Sequence, residues 1–331
     1  MKFHWLILLT VFTSFWSCSE EIDLTAPYQE TMAVYGFLNP NDSLQYIRVS
    51  KAFLGDGNVY IMAQQQDSVN YGNILDVRME RIFNNVVAET FSLTRVDTIA
   101  KDSGAFYYPG QVYYVTSRII REDGSKYRLI VRNTQTGYEV NSTTVIIPDI
   151  NVNVPSPSDA DFATRLPITY NYASTQNAKI HDLDIIFRYR EIESNGDVSF
   201  HNVVIPFTEK LTGANPFGPV EFQYFRPDFF VTLGLEIPVR AGVTRRVDGL
   251  PPGQKAIEYR FYCGTDDLYT YYQLTRPSDG IVQERPLFTT VNNGVGLFTS
   301  RLIHSEFRNL NSNTRAAFDT SAYTRNLNFQ F

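Results

Sequence analysis

The sequence predicts a mainly β protein, and three observations carry this prediction. The 331 residues include 21 tyrosines and 24 phenylalanines but only 4 methionines, and aromatic residues favour strands. Apolar and polar residues alternate along many short segments, as they do on half-buried strands. Turn-forming pairs separate these segments, at Asp123-Gly124, Asn195-Gly196 and Asn293-Gly294.

Alternation predicts strands along most of the chain. Between Lys126 and Arg132, every second residue is apolar, and the same holds between His181 and Glu191. The other predicted strands are Met32–Leu38, Tyr46–Phe53, Leu75–Phe83, Val112–Ile120, Glu139–Ile147, Val198–Pro206 and Leu287–Val291. Half-polar strands joined by short turns predict mainly antiparallel sheets with one wet face.

Two short helices are predicted in the second half. One runs from Asp266 to Leu274, where Asp266 can cap the first amide groups of the helix. The other runs from Asp228 to Leu235. The C-terminal residues 323–331 alternate again, which is typical of the last strand of an outer-membrane barrel or of a strand docked in a soluble sheet. The charged residues on the other strands favour the docked strand.

Composition divides the chain into five parts. Residues 148–167 are rich in proline and aspartate, so they predict a connection rather than a core segment. The predicted parts are a signal peptide (1–17), a tether (18–30), a β-sandwich domain (31–148), a linker (149–166) and a second, larger antiparallel β domain with one or two short helices (167–331).

The N-terminus predicts a lipoprotein signal. After Lys2, the apolar stretch ending near Phe12 is too short to span a bilayer. Ser17 followed by Cys18 resembles a lipobox, at which the peptide is cut on the Ser17 side and lipid is joined to Cys18. The alternatives are an ordinary cleaved signal and an uncleaved anchor. Each buried CH₂ of a lipid contributes about 0.8 kcal/mol, so several acyl chains would hold the protein on a membrane.

Two weaker signals concern the surface of the protein. Glu20 and Glu21, directly behind Cys18, resemble an export signal to the outer leaflet, and a solvated tether is the alternative reading. Ser43, Ser68 and Thr98 lie in Asp-Ser/Thr-apolar triplets that resemble acceptors for O-glycans. Ordinary turn chemistry is the alternative for these triplets.

The chain lacks the usual sequence signatures of catalysis. No Gly-x-Ser-x-Gly elbow, phosphate-binding loop or paired-histidine zinc motif occurs, so we expect no catalytic residues, metal or cofactor. Cys263 lies on the same face of a predicted strand as Tyr259 and Phe261, so it is predicted to be a buried, inert thiol. His181 and His201 are predicted to be surface polar groups. The net charge of −6 without a basic cluster argues against nucleic-acid binding.

Several segments together resemble a family of Bacteroidota lipoproteins known only as a domain of unknown function. The segments that carry the resemblance are Cys18 with Ile22-Asp23-Leu24, Ala33–Leu38, Ile47–Ser50, Tyr127–Val131, Ser142–Pro148 and Asn292–Phe298. The resemblance implies an immunoglobulin- or transthyretin-like first sandwich. Genes of this family often neighbour TonB-dependent receptors, which implies an accessory role in uptake. The family supplies no catalytic residues.

The sequence therefore predicts an outer-membrane lipoprotein that faces the cell surface and is held there by its N-terminal lipid. Its expected role is a binding or accessory module of a TonB-dependent uptake system, with the receptor as partner and an unidentified ligand. The alternatives are a structural or adhesive envelope protein and a hydrolase whose carboxylate pair the sequence does not reveal.

Overall fold

The computed structural model describes residues 30–52, 59–107, 109–212, 217–276 and 287–331. These residues form a mainly β protein with several sheets and five short helices. The predicted fold class and its sandwich-like build are confirmed. Two clusters of buried side chains form two separate hydrophobic cores.

The first core lies between two sheets built mostly from the first half of the chain. Its strands are β1 (Thr31–Leu38), β2 (Gln45–Ala52), β3 (Leu75–Phe83), β4 (Val86–Ser92), β5 (Thr94–Ala100), β6 (Gly110–Thr116), β7 (Lys126–Asn133) and β8 (Glu139–Val145). Two short helices, α1 (Val59–Ala63) and α2 (Gln66–Val69), precede β3. One sheet has the order β4-β3-β7-β8, and β1, β2, β6 and β5 belong to the other.

The second core is larger and rich in aromatic rings, which accounts for much of the phenylalanine content. Its strands are β9 (Val152–Val154), β10 (Pro167–Ala173), β11 (Ile180–Ile192), β12 (Val198–Pro206), β13 (Lys210–Leu211), β14 (Pro219–Phe225), β15 (Thr244–Arg246), β16 (Ile257–Gly264), β17 (Val295–Arg308) and β18 (Phe329–Gln330). Its helices are α3 (Asp228–Glu236), α4 (Asp266–Thr275) and α5 (Ser312–Thr320). The rings of Phe187, Phe229 and Phe318 meet at its centre.

Strand β17 joins the two cores into one sheet. Its first half pairs in parallel with β1, from Ala33 opposite Val295 to Leu38 opposite Ser300. Its second half pairs with β16 in antiparallel fashion. The large sheet therefore has the order β18-β15-β11-β16-β17-β1-β2-β6-β5, and β12 and β13 also pair with β11. One outer face runs across both sandwiches.

Gly296 shows why the segment Asn293-Gly294-Val295-Gly296 is needed where β17 meets β1. Its backbone has φ +120°, and a Cβ at this position would lie 2.0 Å from the carbonyl oxygen of Val34. Only glycine accepts both this backbone conformation and this approach. The segment thus sets the start of the parallel pairing that joins the two halves of the chain.

The C-terminus is docked as a strand, as predicted, but the strand is much shorter than the alternation of residues 323–331 indicates. Phe329–Gln330 pair in parallel with β15, whereas residues 322–327 form turns and a bend. Beside β18, the fully buried guanidinium of Arg245 donates to Glu191 and to the carbonyl oxygens of Leu327 and Pro238. These bonds satisfy a buried charge that would otherwise be costly.

Two sequence predictions about local structure are wrong. Leu287–Val291 is not a strand; Thr290 bonds instead to Gly296 and Phe298, and the strand starts at Val295. Three helices, rather than one or two, occur in the described part of residues 167–331. The additional helix is α5, whose sequence is largely polar. It forms because the Asn311 side chain caps the amide of Thr314 and because Phe318 is buried.

The predicted linker is packed rather than exposed. Ile150, Ala160 and Phe162 are buried in the second core, and β9 pairs with β10. Its prolines lie between these contacts, so proline content is a poor guide to exposure here. The domain boundaries themselves stay a prediction.

Candidate functional site

Strand β1 places two aromatic side chains on the outer face of the large sheet. Met32, Val34 and Leu38 point into the first core. Neighbouring residues of a strand point to opposite faces, so Tyr35 and Phe37 point outward. Tyr35 keeps 38% of its surface exposed.

Strands β2 and β6 continue this aromatic face. Ile47 lies in the core, so Tyr46 and Arg48 on either side of it point outward. The ring of Tyr46 meets the ring of Tyr113 edge to face, with centroids 5.9 Å apart. Such pairs are worth about 0.5–1.5 kcal/mol beyond their burial, so they hold a fixed aromatic surface.

These side chains line a depression of about 360 Å³, here named the central depression. Its lining comprises the four aromatic side chains Tyr35, Phe37, Tyr46 and Tyr113 together with Asp42, Leu44, Arg48 and Arg301. The guanidinium of Arg301 lies 5.5 Å from the centre of the Phe37 ring, within the range of a cation–π contact.

Two further depressions adjoin the central one. The helix-side depression, of about 310 Å³, shares Arg301 with it and is also lined by Asp182, Glu209, Tyr262 and Tyr272. The distal depression, of about 260 Å³, shares Tyr35 and includes Tyr271 and Phe288. The three together are named the outer-face groove.

Helix α4 forms one wall of the groove. The Thr265 hydroxyl accepts from the amide of Leu268 at 3.3 Å and lies 2.6 Å from the Thr299 hydroxyl. Thr265, and not Asp266 as predicted, is therefore the N-cap. Thr299 points away from the first core yet is fully buried, because the start of α4 covers it. This anchor presents Tyr272 to the groove.

The central depression is rich in positive charge. Among the described residues, neither Arg48 nor Arg301 forms an ion pair or hydrogen bond with a carboxylate. Burial, and then the charge of nearby Arg48, lower the pKa of Lys101. Burial and the Tyr271 hydroxyl raise the pKa of Tyr35, so this ring is a neutral surface at neutral pH.

The helix-side depression is rich in oxygen acceptors. Burial chiefly, together with the charges of Asp184 and Glu209, raises the pKa of Asp182. Arg276 donates to Glu209 and lies over the ring of Tyr272, 4.2 Å from its centre. The Asp182 carboxylate has no cationic partner within the described part of the chain.

Cys263 and His181 contribute to the wall of the helix-side depression, but their side chains face the second core. Cys263 points to the same side of β16 as the core residue Phe261, and His181 points to the same side of β11 as the core residue Leu183. The thiol Sγ lies 3.4 Å from His181 Nδ1. The Tyr172 hydroxyl lies 2.9 Å from the same nitrogen.

This cluster is electrically neutral. Burial raises the pKa of Cys263 to about 12 and lowers the pKa of His181 to about 4. A reactive thiolate needs the opposite shift. The predicted burial of Cys263 is confirmed. The predicted exposure is confirmed for His201 but is wrong for His181, which is fully buried because β10 and β16 pack over it.

The residues predicted as modification sites are spread along the chain. Ser17, Cys18, Glu20 and Glu21 lie outside the described residues, as does the signal peptide. Ser43 is exposed just before β2, Ser68 lies half-buried in α2, and Thr98 is exposed where the pairing of β5 with β6 shifts register. Their glycosylation stays a prediction.

Sequence reasoning missed the groove, although a signal was present. Tyr35, Phe37 and Tyr46 occupy the outward positions of alternating strands, where charged or small polar residues are usual. A run of aromatic residues on a wet sheet face indicates a binding surface. The alternation does not show which residues from distant parts of the chain lie beside these aromatic side chains.

The chain matches no protein-family model, and no curated protein shows significant similarity to it. The family resemblance drawn from the sequence stays a prediction. No described helix has the length and apolar character needed to cross a bilayer. The described residues also contain no group of three or more His, Cys, Asp or Glu side chains placed to hold a metal ion.

Proposed function

We propose that the protein is a cell-surface lipoprotein of the outer membrane that binds a ligand in the outer-face groove. In this proposal it serves as an accessory module of a TonB-dependent uptake system, without catalysis of its own. The lipobox-like Ser17-Cys18 pair and the family resemblance support the location and the partner. The groove supports the binding role.

The observation that carries the binding role is the aromatic lining of the groove. Ligand sites are concave, largely apolar surfaces with a few placed polar groups. The central depression is concave and combines both kinds of group, since the aromatic side chains Tyr35, Phe37 and Tyr46 lie beside two arginines. A soluble surface gains nothing from exposing rings of this size, whereas a ligand that covers them removes apolar area from water.

The decisive experiment is native extraction of the full-length protein from membranes in mild detergent, followed by mass spectrometry. We expect co-purification with a large TonB-dependent barrel and a bound small molecule. Replacing Tyr35 and Tyr46 with alanine should remove the small molecule but keep the receptor. The matched control is Tyr323→Ala, since Tyr323 is 54% exposed and lies outside the groove. A protein that extracts alone and carries no ligand contradicts the proposal.

The lipid anchor needs a separate test. Cys18→Ser should abolish metabolic palmitate labelling and move the protein from the membrane fraction to the soluble fraction. Unchanged labelling and fractionation would contradict the proposed attachment.

One feature favours the adhesive alternative. Strand β12 pairs with β11, and Val198, Phe200 and Val204 are exposed along it. Exposed apolar edge strands can pair with another chain. Fibres in purified samples, or loss of cell attachment on deletion, would support adhesion instead. For the hydrolase alternative, Asp182 and Glu209 line one depression, and shortened oligomer products would support it.

A further inference from the structure

Positive charge gathers at the central depression of an acidic protein. Among the residues that the structure describes, Arg48 and Arg301 line it, Lys101 lies close to Arg48, and Asp42 supplies the one negative charge of the lining. The formal net charge of the chain is −6, so this local excess of cations is not a general property of the surface. Arg48 and Arg301 have no carboxylate partner in the described part of the chain, and such arginines favour a bound anion that accepts from the planar guanidinium.

The neighbouring depression supplies carboxylate acceptors. Asp182 and Glu209 line it together with Arg301. Glu209 already accepts from Arg276, but the remaining lone pairs of both carboxylates can accept hydrogen bonds from hydroxyl donors. Arg301 lies at the boundary between the two depressions. A ligand that spans this boundary must offer anionic groups at one place and hydroxyl donors at the other.

The aromatic rings add a third requirement. Tyr46 and Tyr113 meet at an interplanar angle of 86°, and Tyr35 and Phe37 follow on the next strand. Neighbouring strands are about 4.8 Å apart, so the aromatic surface extends over several ring diameters. The ligand should be a chain of several units with apolar ring faces.

We infer that the outer-face groove binds an acidic oligosaccharide, whose uronate carboxylates pair with Arg48 and Arg301 while its sugar rings stack on the tyrosines. Its hydroxyl groups donate to Asp182 and Glu209. This inference rests on the proposed binding role of the groove and names the chemical class of its ligand.

Two other anionic polymers fit less well. Single-stranded nucleic acid also stacks on aromatic side chains, but its phosphates need a basic track, and here carboxylates occupy the adjoining depression. An acidic peptide supplies carboxylates but lacks the repeated hydroxyl donors that Asp182 and Glu209 would accept. An acidic sugar satisfies the cations, the acceptors and the rings at once.

The test is titration calorimetry on the full-length protein in detergent. The probes are oligogalacturonate, oligomannuronate, a neutral cello-oligosaccharide of equal length, oligo-dT and oligoglutamate. We expect one of the two uronates to bind best, and its affinity to fall as salt is raised. Preference for the neutral sugar, oligo-dT or oligoglutamate overturns the inference, as does failure of both uronates to bind.

Variants locate the binding. Arg48→Gln and Arg301→Gln should each weaken uronate binding about tenfold, the loss expected for one charge-assisted hydrogen bond. Arg132→Gln is the matched control, since Arg132 is exposed on the four-stranded sheet. Circular dichroism melting checks that each variant folds.

The two failures are distinguishable. If neither uronate binds while Tyr46→Ala still removes the small molecule that co-purifies with the protein, the ligand class is wrong and the groove still binds. If the arginine variants bind the uronate as well as the wild type does, the inferred pairing of its carboxylates with Arg48 and Arg301 is wrong. If Tyr46→Ala also leaves binding unchanged, the groove is not the site, and the proposed function fails with the inference.

Discussion

Acidification should destabilise the protein through His181. The imidazole is fully buried, where Tyr172 lies 2.9 Å from Nδ1 and Ser174 lies 3.2 Å from Nε2. A neutral ring can accept at one nitrogen and donate at the other, which suits two hydroxyl partners. Protonation would place a positive charge in this buried cluster, where the imidazole contacts the hydroxyls of Tyr172 and Ser174 and the thiol of Cys263 and, within the described residues, no carboxylate.

The magnitude follows from the shifted pKa. Burial lowers the pKa of His181 from 6.5 to about 4 in the folded state. The unfolded chain therefore binds a proton more readily between these values, and stability falls as the pH falls through this window. The full loss below pH 4 is about 3 kcal/mol at 1.36 kcal/mol per pKa unit. From pH 7 to pH 5 the expected loss is about 2 kcal/mol.

The measurement is the free energy of urea unfolding against pH, for the wild type and for His181→Gln. Carboxylates titrate in the same pH range in both proteins. The difference between the wild type and the variant in the slope of unfolding free energy against pH therefore isolates the contribution of His181. The variant should be less stable at pH 7 but should lose about 2 kcal/mol less on acidification to pH 5. His201→Gln is the matched control, since His201 is exposed. Parallel slopes for the wild type and His181→Gln would refute the reasoning.

Three further predictions concern stability and reactivity. Gly296→Ala should destabilise the protein by about 3 kcal/mol or more, because the new Cβ meets the Val34 carbonyl; Gly104→Ala, with open space around it, should be nearly neutral in the same urea titration. Thr265→Ala should cost about 1–2 kcal/mol through the lost helix cap, measured by thermal unfolding, and an unchanged midpoint would speak against that cap. The Cys263 thiol should resist a disulfide reagent at pH 8 until guanidinium unfolds the protein, since burial raises its pKa to about 12; rapid labelling of the native protein would contradict its burial.

Local pattern predicted strands well where one face is buried. Leu75–Phe83 and Val198–Pro206 have the predicted bounds, because alternation records which side chains meet the core. The helix that starts at Asp228 was also predicted, from Pro227 before it and Gly234 near its end. Helix α5 was not predicted, and most of its nine residues are polar.

The candidate site shows where such reasoning ends. The outward parity of Tyr35 is visible in the sequence, but its neighbours Arg48 and Tyr271 come from a paired strand and a distant helix. The parity of Cys263 predicted its burial, but His181, 82 residues earlier in the chain, became its neighbour through the pairing of β11 with β16.

The sequence by itself determined the mainly β character, many strand positions and, for most residues of those strands, the face that the side chain takes, because these depend on short-range alternation and turn chemistry. Only the tertiary structure decided that β17 runs parallel to β1, and so brought Arg301 beside Phe37 to complete the groove. Pairing between distant strands depends on backbone hydrogen bonds and packing that many combinations of strands could satisfy, so no local pattern specifies it.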